Sequence, residues 1–393
     1  MPIFILSGDF YQLPPVQAFP LYVGTVEVDP TKRNREYYDE ANAGLRLYHS
    51  FFDKAVVLNE NKRQAGDEVW RGMLRRIRNG EATAADAQCL AHRTLREEEK
   101  VRNPDIPRES DPGYMWQTCP RYFPKKDHTR KENFDILCTE FPHPDDRYDA
   151  SAIIKVGKNK RLSPEAVASF GPKFAREAPL LSLAVGAKVM VTTNLEGARQ
   201  WGIINGTTGT VMGFLSEDGG REITHVLVRP DFVMRGMPPF KFVVPDPESP
   251  DQSKEIVLEG TWPLERTKST LYLPNGQDKT KTMTASCESF PLMLAYALTI
   301  HKAQGITTSH AVIDITQCHE GQMAYVACSR VRTLDGVRLR STPTLNDLNK
   351  FARSKNKPLL EAEIMRIEAL QASLIEHFEM QEEDARVVAE LQS

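Results

Sequence analysis

PIFILSGDFYQLPPV, residues 2–16, joins a continuous apolar run to a Gly-Asp turn and a stiff pair of prolines. An unbroken apolar run of this length reads as a strand buried on both faces, as in the parallel sheets of α/β proteins. Working outward, a short amphipathic stretch at 43–52 (Leu45, Leu47, Phe51, Phe52) closes a first piece. A second strand, AVVLNEN, is expected from Ala55. It leads into DEVWRGMLRRIRNG, where Trp70, Met73, Leu74 and Ile77 recur at helical spacing and Gly80 supplies a stop. Arg71, Arg75 and Arg78 share the other face of that helix, which is expected to be solvated; phosphate contact is the second reading.

Residues 97–180 are rich in proline and charge with few clear periods, so long loops are expected there. LAVGAKVMVT (183–192) reads as one strand, and IINGTTGTVMGF offers a hairpin turn at Asn205-Gly206. LYLPNGQ repeats that signal at Asn275-Gly276. Residues 183–285 therefore read as a small β-rich module inserted into an α/β chain. FPLMLAYAL (290–298) and AVIDI (311–315) return to buried-strand character, and GQMAYVACSRVR (321–332) reads as a helix. From Leu360 onward, Ile364, Ile367, Leu370, Leu374 and Phe378 stripe a long acidic helix, expected to pack back on the body; a helical partner for 359–393 is the second reading.

Composition narrows the function classes. The chain has 393 residues, 40% of them hydrophobic and 26% charged, enough for two or three domains at roughly 150 residues each. No apolar run approaches the ~20 residues that span a bilayer, and the N-terminus carries no basic secretory leader. Six cysteines without a C-x-x-C pair read as free thiols in a reducing compartment, not as a metal site or disulfide framework. The net charge of −3 is uneven: residues 359–393 hold nine acidic side chains against Arg366 and Arg386, a net of −7, so the rest carries +4. A mildly basic body with an acidic tail is compatible with a local phosphate-binding groove.

Three stretches carry chemistry-bearing residues: GDFYQLPPV (8–16), TIHKAQG (299–305) and AYVACSRVR (324–332). Each alone is ordinary structure. In this order they resemble the motif after the Walker B carboxylates, the penultimate motif and the final motif of superfamily-one helicases of the Pif/RecD type. VVLNENKRQ (56–64) resembles that family's Asn-x-Arg-Gln element, and in RYFPKKDHTRKENFDIL (121–137) Asn133 falls on its aligned asparagine. GAKVMVTTNLEGARQWGIINGTTGTVMGF (186–214) resembles its inserted β-barrel. The resemblance covers the chain to about residue 345. Two departures stand out: Cys287-Glu288-Ser289 lies where the family has Arg-x-Gln, and Cys328 where leucine is common.

The resemblance implies an α/β fold, a P-loop NTPase of the RecA-like helicase type with an inserted small β-barrel. It divides the chain into 1–53, a remnant of the first RecA-like domain; 54–182 with 286–358, a complete second RecA-like domain; 183–285, the β-barrel; and 359–393, the acidic helix. It also implies an ATP-dependent 5′-to-3′ DNA helicase of repair, recombination and telomere maintenance, acting inside the cell in nucleus or mitochondrion. ATP and Mg2+ are its cofactors and single-stranded DNA its partner. By the same resemblance, Arg63 and Arg330 reach the γ-phosphate, Arg330 as arginine finger, and Gln12 senses it. Gln304 and Gly305 line the cleft, while Thr299, His301 and Lys302 grip the DNA backbone. Such residue types suit phosphoryl transfer, which needs positioning and charge stabilisation more than covalent chemistry from the protein.

No G-x-x-x-x-G-K-[ST] occurs in the 393 residues, nor an Asp-Glu pair ending an apolar strand. The expectation is a piece of such a helicase cut upstream of GDFYQLPPV. It would hold neither ATP nor Mg2+ tightly, have no bound metal and be inactive alone. The alternative is a module that binds single-stranded DNA or a partner without hydrolysis.

Overall fold

The computed structural model describes residues 4–16, 18–26, 35–100, 115–116, 118–156, 160–162, 181–216, 222–246, 249–274 and 282–391. They fall into two compact units, residues 1–125 with 299–393, and residues 126–298.

In the first unit three short parallel strands, Arg121–Phe123, Ala311–Ile313 and Val337–Leu339, lie side by side in that order. Their buried Tyr122, Phe123, Val312, Ile313 and Leu339 explain why these stretches are strands covered on both faces. Helix α1 spans Arg35–Phe51 and helix α2 spans Glu68–Asn79. Asp67 caps α2 by accepting from the Trp70 amide at 2.8 Å, and Gly80 ends it at φ +73°, a conformation glycine adopts without strain. Trp70, Met73, Leu74 and Ile77 are buried as the spacing predicts. Arg71 and Arg75 face solvent, whereas Arg78 does not follow the expected solvated row. Its guanidinium lies 3.8 Å from the centre of the Tyr11 ring and 3.7 Å from the Asp9 carboxylate.

Two expected strands do not form. Residues 4–9 have no regular structure, and Phe4, Ile5 and Leu6 are exposed; residues 1–3 lie outside the described residues. AVVLNEN is likewise irregular, with Val56 and Leu58 exposed. A run of apolar residues records a tendency to be covered but does not supply the neighbouring strand that must share its hydrogen bonds, and among the described residues neither run has one. The helix expected at 321–332 is confined to Met323–Cys328. The C-terminal helix, Lys357–Leu391, does pack back on its own unit: Leu360 is fully buried with Tyr22 and Phe351, and Phe10, Tyr11, Val23 and Ile364 pack around them.

The second unit opens with a helix, Lys126–Glu140, where loops were expected. Its inner face buries Thr129, Glu132, Asn133 and Leu137, so polar residues occupy positions that a hydrophobic-periodicity reading needs apolar. Further short strands at Arg147–Asp149, Ile153–Val156 and Lys160–Arg161 also replace the expected loops, while 101–114 and 163–180 lie outside the described residues. A five-stranded antiparallel sheet runs Trp262–Glu265, Ile223–Pro230, Thr208–Ser216, Lys188–Val191, Leu292–Leu294. Val189, Val191, Val211, Val226, Val228, Leu264 and Leu292 form its core. A second sheet runs Thr267–Pro274, Thr282–Ser289, Ile153–Val156, Lys160–Arg161.

The stretch expected as one strand at 183–192 is two. Gly186, at φ +91°, separates Ser182–Ala184, paired with Arg147–Asp149, from Lys188–Val191. Asn205-Gly206 is a turn, with Gly206 at φ +97°, but it closes a long connection from Val191 rather than a two-residue hairpin. The Asn275-Gly276 turn lies outside the described residues, although its flanking strands pair in antiparallel fashion with Pro274 opposite Thr282. The compact units divide at 125/126 and 298/299, so residues 126–182 and 286–298 lie in one unit with 183–285. The reason is pairing: Ile153–Val156 adds to Thr282–Ser289, and Leu292–Leu294 adds to Lys188–Val191, so both flanks of the β-rich region join it.

Candidate functional site

The segment that follows helix Met323–Cys328 carries Arg330, and the first unit is built tightly around it. Thr308 pairs with Val331 in a parallel bridge, its amide donating to the Arg330 carbonyl at 3.0 Å. Gln64, 2% exposed, donates its side-chain amide to the Ser329 carbonyl at 3.1 Å and the Val331 carbonyl at 2.9 Å. The Trp70 indole N–H also donates to Val331, at 3.2 Å. Three donors thus fix the backbone on either side of Arg330.

The Arg330 side chain is 2% exposed. Its Nε donates to the Val326 carbonyl and its Nη2 to the Ser329 hydroxyl, both at 2.8 Å. No carboxylate within ion-pair distance accompanies it among the described residues. Burial, reinforced by the neighbouring Arg63 charge, lowers it to about 10, far below an ordinary guanidinium. Arg63 is brought beside it: Nη1 donates to Ser329 O at 3.1 Å and Nε to the Thr307 hydroxyl at 2.9 Å. Two like charges lie close together, one of them buried without a counter-ion. That arrangement is costly unless an anion completes it.

Gln304 and Gly305 follow the short helix Ile300–Ala303 and lead into Thr307, the Arg63 partner. Both are exposed; Gly305 sits at φ +91° with open space where a side chain would project. Thr299 caps the same helix, its hydroxyl accepting from the Lys302 amide at 3.4 Å. His301 and Lys302 are half-buried, with His301 Nε2 3.8 Å from a Glu320 carboxylate oxygen. Gln12 stands apart. Its side chain donates to Asp9 at 3.4 Å and its amide to the Asp9 carbonyl at 3.0 Å, so the structure joins it to its own loop rather than to the arginine pair. The link from that loop to the arginines is Asp9, whose charge acts on Arg330.

Other residues belong to this setting that the motif reading did not select. Gln64 is the last residue of the VVLNENKRQ element, so a polar residue beside a chosen arginine was the available signal. Tyr122 is fully buried, its hydroxyl has no hydrogen-bond partner among the described residues, and burial pushes it up while Arg330 and Arg63 pull it down. In the second unit, the Asn133 side chain brackets Ala297, donating to its carbonyl at 2.8 Å and accepting from its amide at 2.7 Å. Glu288, within the departure from the family pattern, is bonded by Lys155 at 3.0 Å, which holds it below the usual carboxylate range. Among the described residues no group of acidic, histidine and cysteine side chains is arranged to hold a metal ion.

No family model matches the chain. It is 28% identical over 335 residues to the ATP-dependent DNA helicase Pif1 of Bdellovibrio bacteriovorus, covering 85% of this chain and 57% of that protein. It is 31% identical over 160 residues to the human ATP-dependent DNA helicase PIF1, 41% of this chain and 19% of that protein. Among solved structures, the Pif1 helicase from Candida albicans matches with a TM-score of 0.55 at 21% identity, over 91% of this chain and 67% of that one. Bacteroides Pif1 bound to ssDNA matches with a TM-score of 0.50 at 22% identity, over 86% and 62%. The chain therefore spans little more than half of the bacterial relative and about a fifth of the human one. The structural likeness shows the fold, a mixed α/β architecture with the parallel sheet of a RecA-like helicase core.

Proposed function

Because this chain belongs with the Pif1-like superfamily-one helicases, we propose that it carries the arginine half of an ATP site and a grip for single-stranded DNA. The observation behind this reading is the pair Arg63 and Arg330, one buried, neither matched by a carboxylate among the described residues. A terminal phosphate is the anion such a pair suits: planar guanidinium groups bond two oxygens at once and offset the charge that develops on transfer. ATP, when bound, supplies the free energy of phosphoryl transfer, and Mg2+ would offset its charge. Gln64, Trp70 and Thr308 hold Arg330 in place, while Arg63 ties the Gln304-Gly305 loop to the same segment. Gln12 would respond to the nucleotide through Asp9. Thr299, His301 and Lys302 would contact the DNA backbone, giving affinity without sequence choice.

The full activity would be 5′-to-3′ DNA unwinding in repair, recombination or telomere maintenance, in nucleus or mitochondrion. The 393 residues contain no P-loop sequence, so on this reading the chain alone does not hydrolyse ATP. The second reading is a single-stranded DNA-binding module that works without hydrolysis. An ATPase assay with and without oligo-dT separates these from an intact engine: no turnover is expected, and DNA-stimulated turnover would overturn the half-site reading. The arginine pair is tested with inorganic tripolyphosphate in a thermal-shift titration. The parent is expected to be stabilised at low salt, with the effect lost in Arg63→Ala, whose side chain is only half-buried. Equal shifts in both proteins, or none in either, would contradict the assignment.

A further inference from the structure

The acidic C-terminal helix is bound over the loop that carries the Gly8–Gln12 motif. Leu360 is fully buried against Tyr22 and Phe351, and Phe10 and Tyr11 of the motif pack on the same cluster with Ile364. One turn on, Glu363 is 4% exposed and accepts the Tyr48 hydroxyl at 2.7 Å. Arg366 donates two bonds to the same carboxylate, at 2.9 and 2.8 Å, and His49 Nδ1 lies 4.0 Å away. Burial and the Glu363 hydrogen bond push Tyr48 up to about 12, so it remains a donor at neutral pH. The Gln371 side chain accepts from the Val57 amide further along. The helix is thus fastened at its base to α1, to the motif loop and to the chain just before Arg63.

What it presents outward is negative. Glu361 is paired with Lys357 at 3.5 Å, but Glu368, Glu376 and Glu379 are exposed and have no ion-pair partner among the described residues. Glu361 and Glu368 are near enough to act on Tyr11, the neighbour of Gln12. The seat also borders the histidine of the TIHKAQG segment: the charge of Glu320 acts on Tyr22, and the same carboxylate faces His301. The segment 359–393 contributes −7 to a chain whose remainder is +4. A polyanion approaching the motif loop meets the charge of Glu361 and Glu368, which already acts on Tyr11 there.

Building on the single-stranded DNA reading, we propose that the C-terminal helix is an autoinhibitory cover: seated by Leu360 and Glu363, it lowers the affinity of the motif face for nucleic acid. Strand binding loosens it. The test is binding of a labelled oligo-dT by the full chain and by a variant carrying Glu368→Gln, Glu376→Gln and Glu379→Gln. These side chains are exposed and make none of the seat's hydrogen bonds, so the fold and docking are retained. The variant is expected to bind roughly three- to ten-fold tighter at 50 mM salt, with the gain vanishing at 500 mM as screening removes the field. Hydrogen exchange supplies a second readout: amides of 357–380 are expected to lose protection when oligo-dT saturates the parent. Unchanged or weaker binding by the variant, or unchanged protection, overturns the cover while leaving DNA binding intact. No binding by either protein removes the DNA reading and the cover together.

Discussion

Trp70→Ala is expected to leave the first unit largely unfolded at room temperature. The indole is fully buried on the inner face of α2, and its N–H bonds the Val331 carbonyl next to Arg330. Removing a buried aromatic of this size costs about 3–5 kcal/mol, a large part of the ~5–15 kcal/mol that keeps a typical domain folded. Trp70→Phe keeps most of the volume and forfeits only the hydrogen bond; Gln64 still donates to Val331, so the loss should be about 1 kcal/mol. Chemical denaturation followed by near-ultraviolet circular dichroism reads both. A loss below about 1 kcal/mol for the alanine variant would mean that α2 does not support the Arg330 segment as described.

Gly336→Ala should be nearly as damaging for a different reason. A β-carbon there would stand 1.9 Å from the Ser309 carbonyl oxygen and 2.9 Å from a Val331 methyl carbon. Neither neighbour is a free side-chain end: Ser309 follows the residue that bonds Arg330, and Val331 follows Arg330 itself. The backbone must therefore move, at a cost near the upper end of overpacking, roughly 3 kcal/mol. The expected result is a lower denaturation midpoint together with loss of tripolyphosphate stabilisation. A variant as stable as the parent would contradict the close approach of these two segments.

Both substitutions show what a linear reading can and cannot supply. The α2 helix is legible because its apolar spacing and terminal glycine agree, and spacing alone places Trp70 in the core. Nothing local indicated that its indole reaches residue 331, or that Gly336 is glycine because Ser309 passes against it. The apolar runs at 2–7 and 55–61 misled in the opposite direction, since strand character needs a partner that the run does not encode. Helix Lys126–Glu140 is not legible in the sequence because Thr129, Glu132 and Asn133 take the inward positions. Asn133 is inward for a reason visible only in three dimensions, its paired bonds to Ala297.

The candidate site divides similarly. Motif order selected Arg63 and Arg330, and the structure brings them together, with Gln304-Gly305 adjacent through Thr307. Gln12 was selected by the same reasoning but bonds to Asp9 instead. Gln64 and Tyr122 are not legible as site residues because burial of a polar group is a tertiary property. Arg78, read as part of a solvated row, instead anchors the motif loop through Tyr11 and Asp9.

The central proposal, that the chain grips single-stranded DNA through Thr299, His301 and Lys302, is tested most directly by fluorescence anisotropy with a labelled oligo-dT. Sequence-independent binding is predicted, weakening steeply between 50 and 200 mM salt, with Lys302→Ala about three- to ten-fold weaker and its salt slope smaller by roughly 0.7. Absence of binding at low salt, or binding that ignores both salt and Lys302, would contradict it.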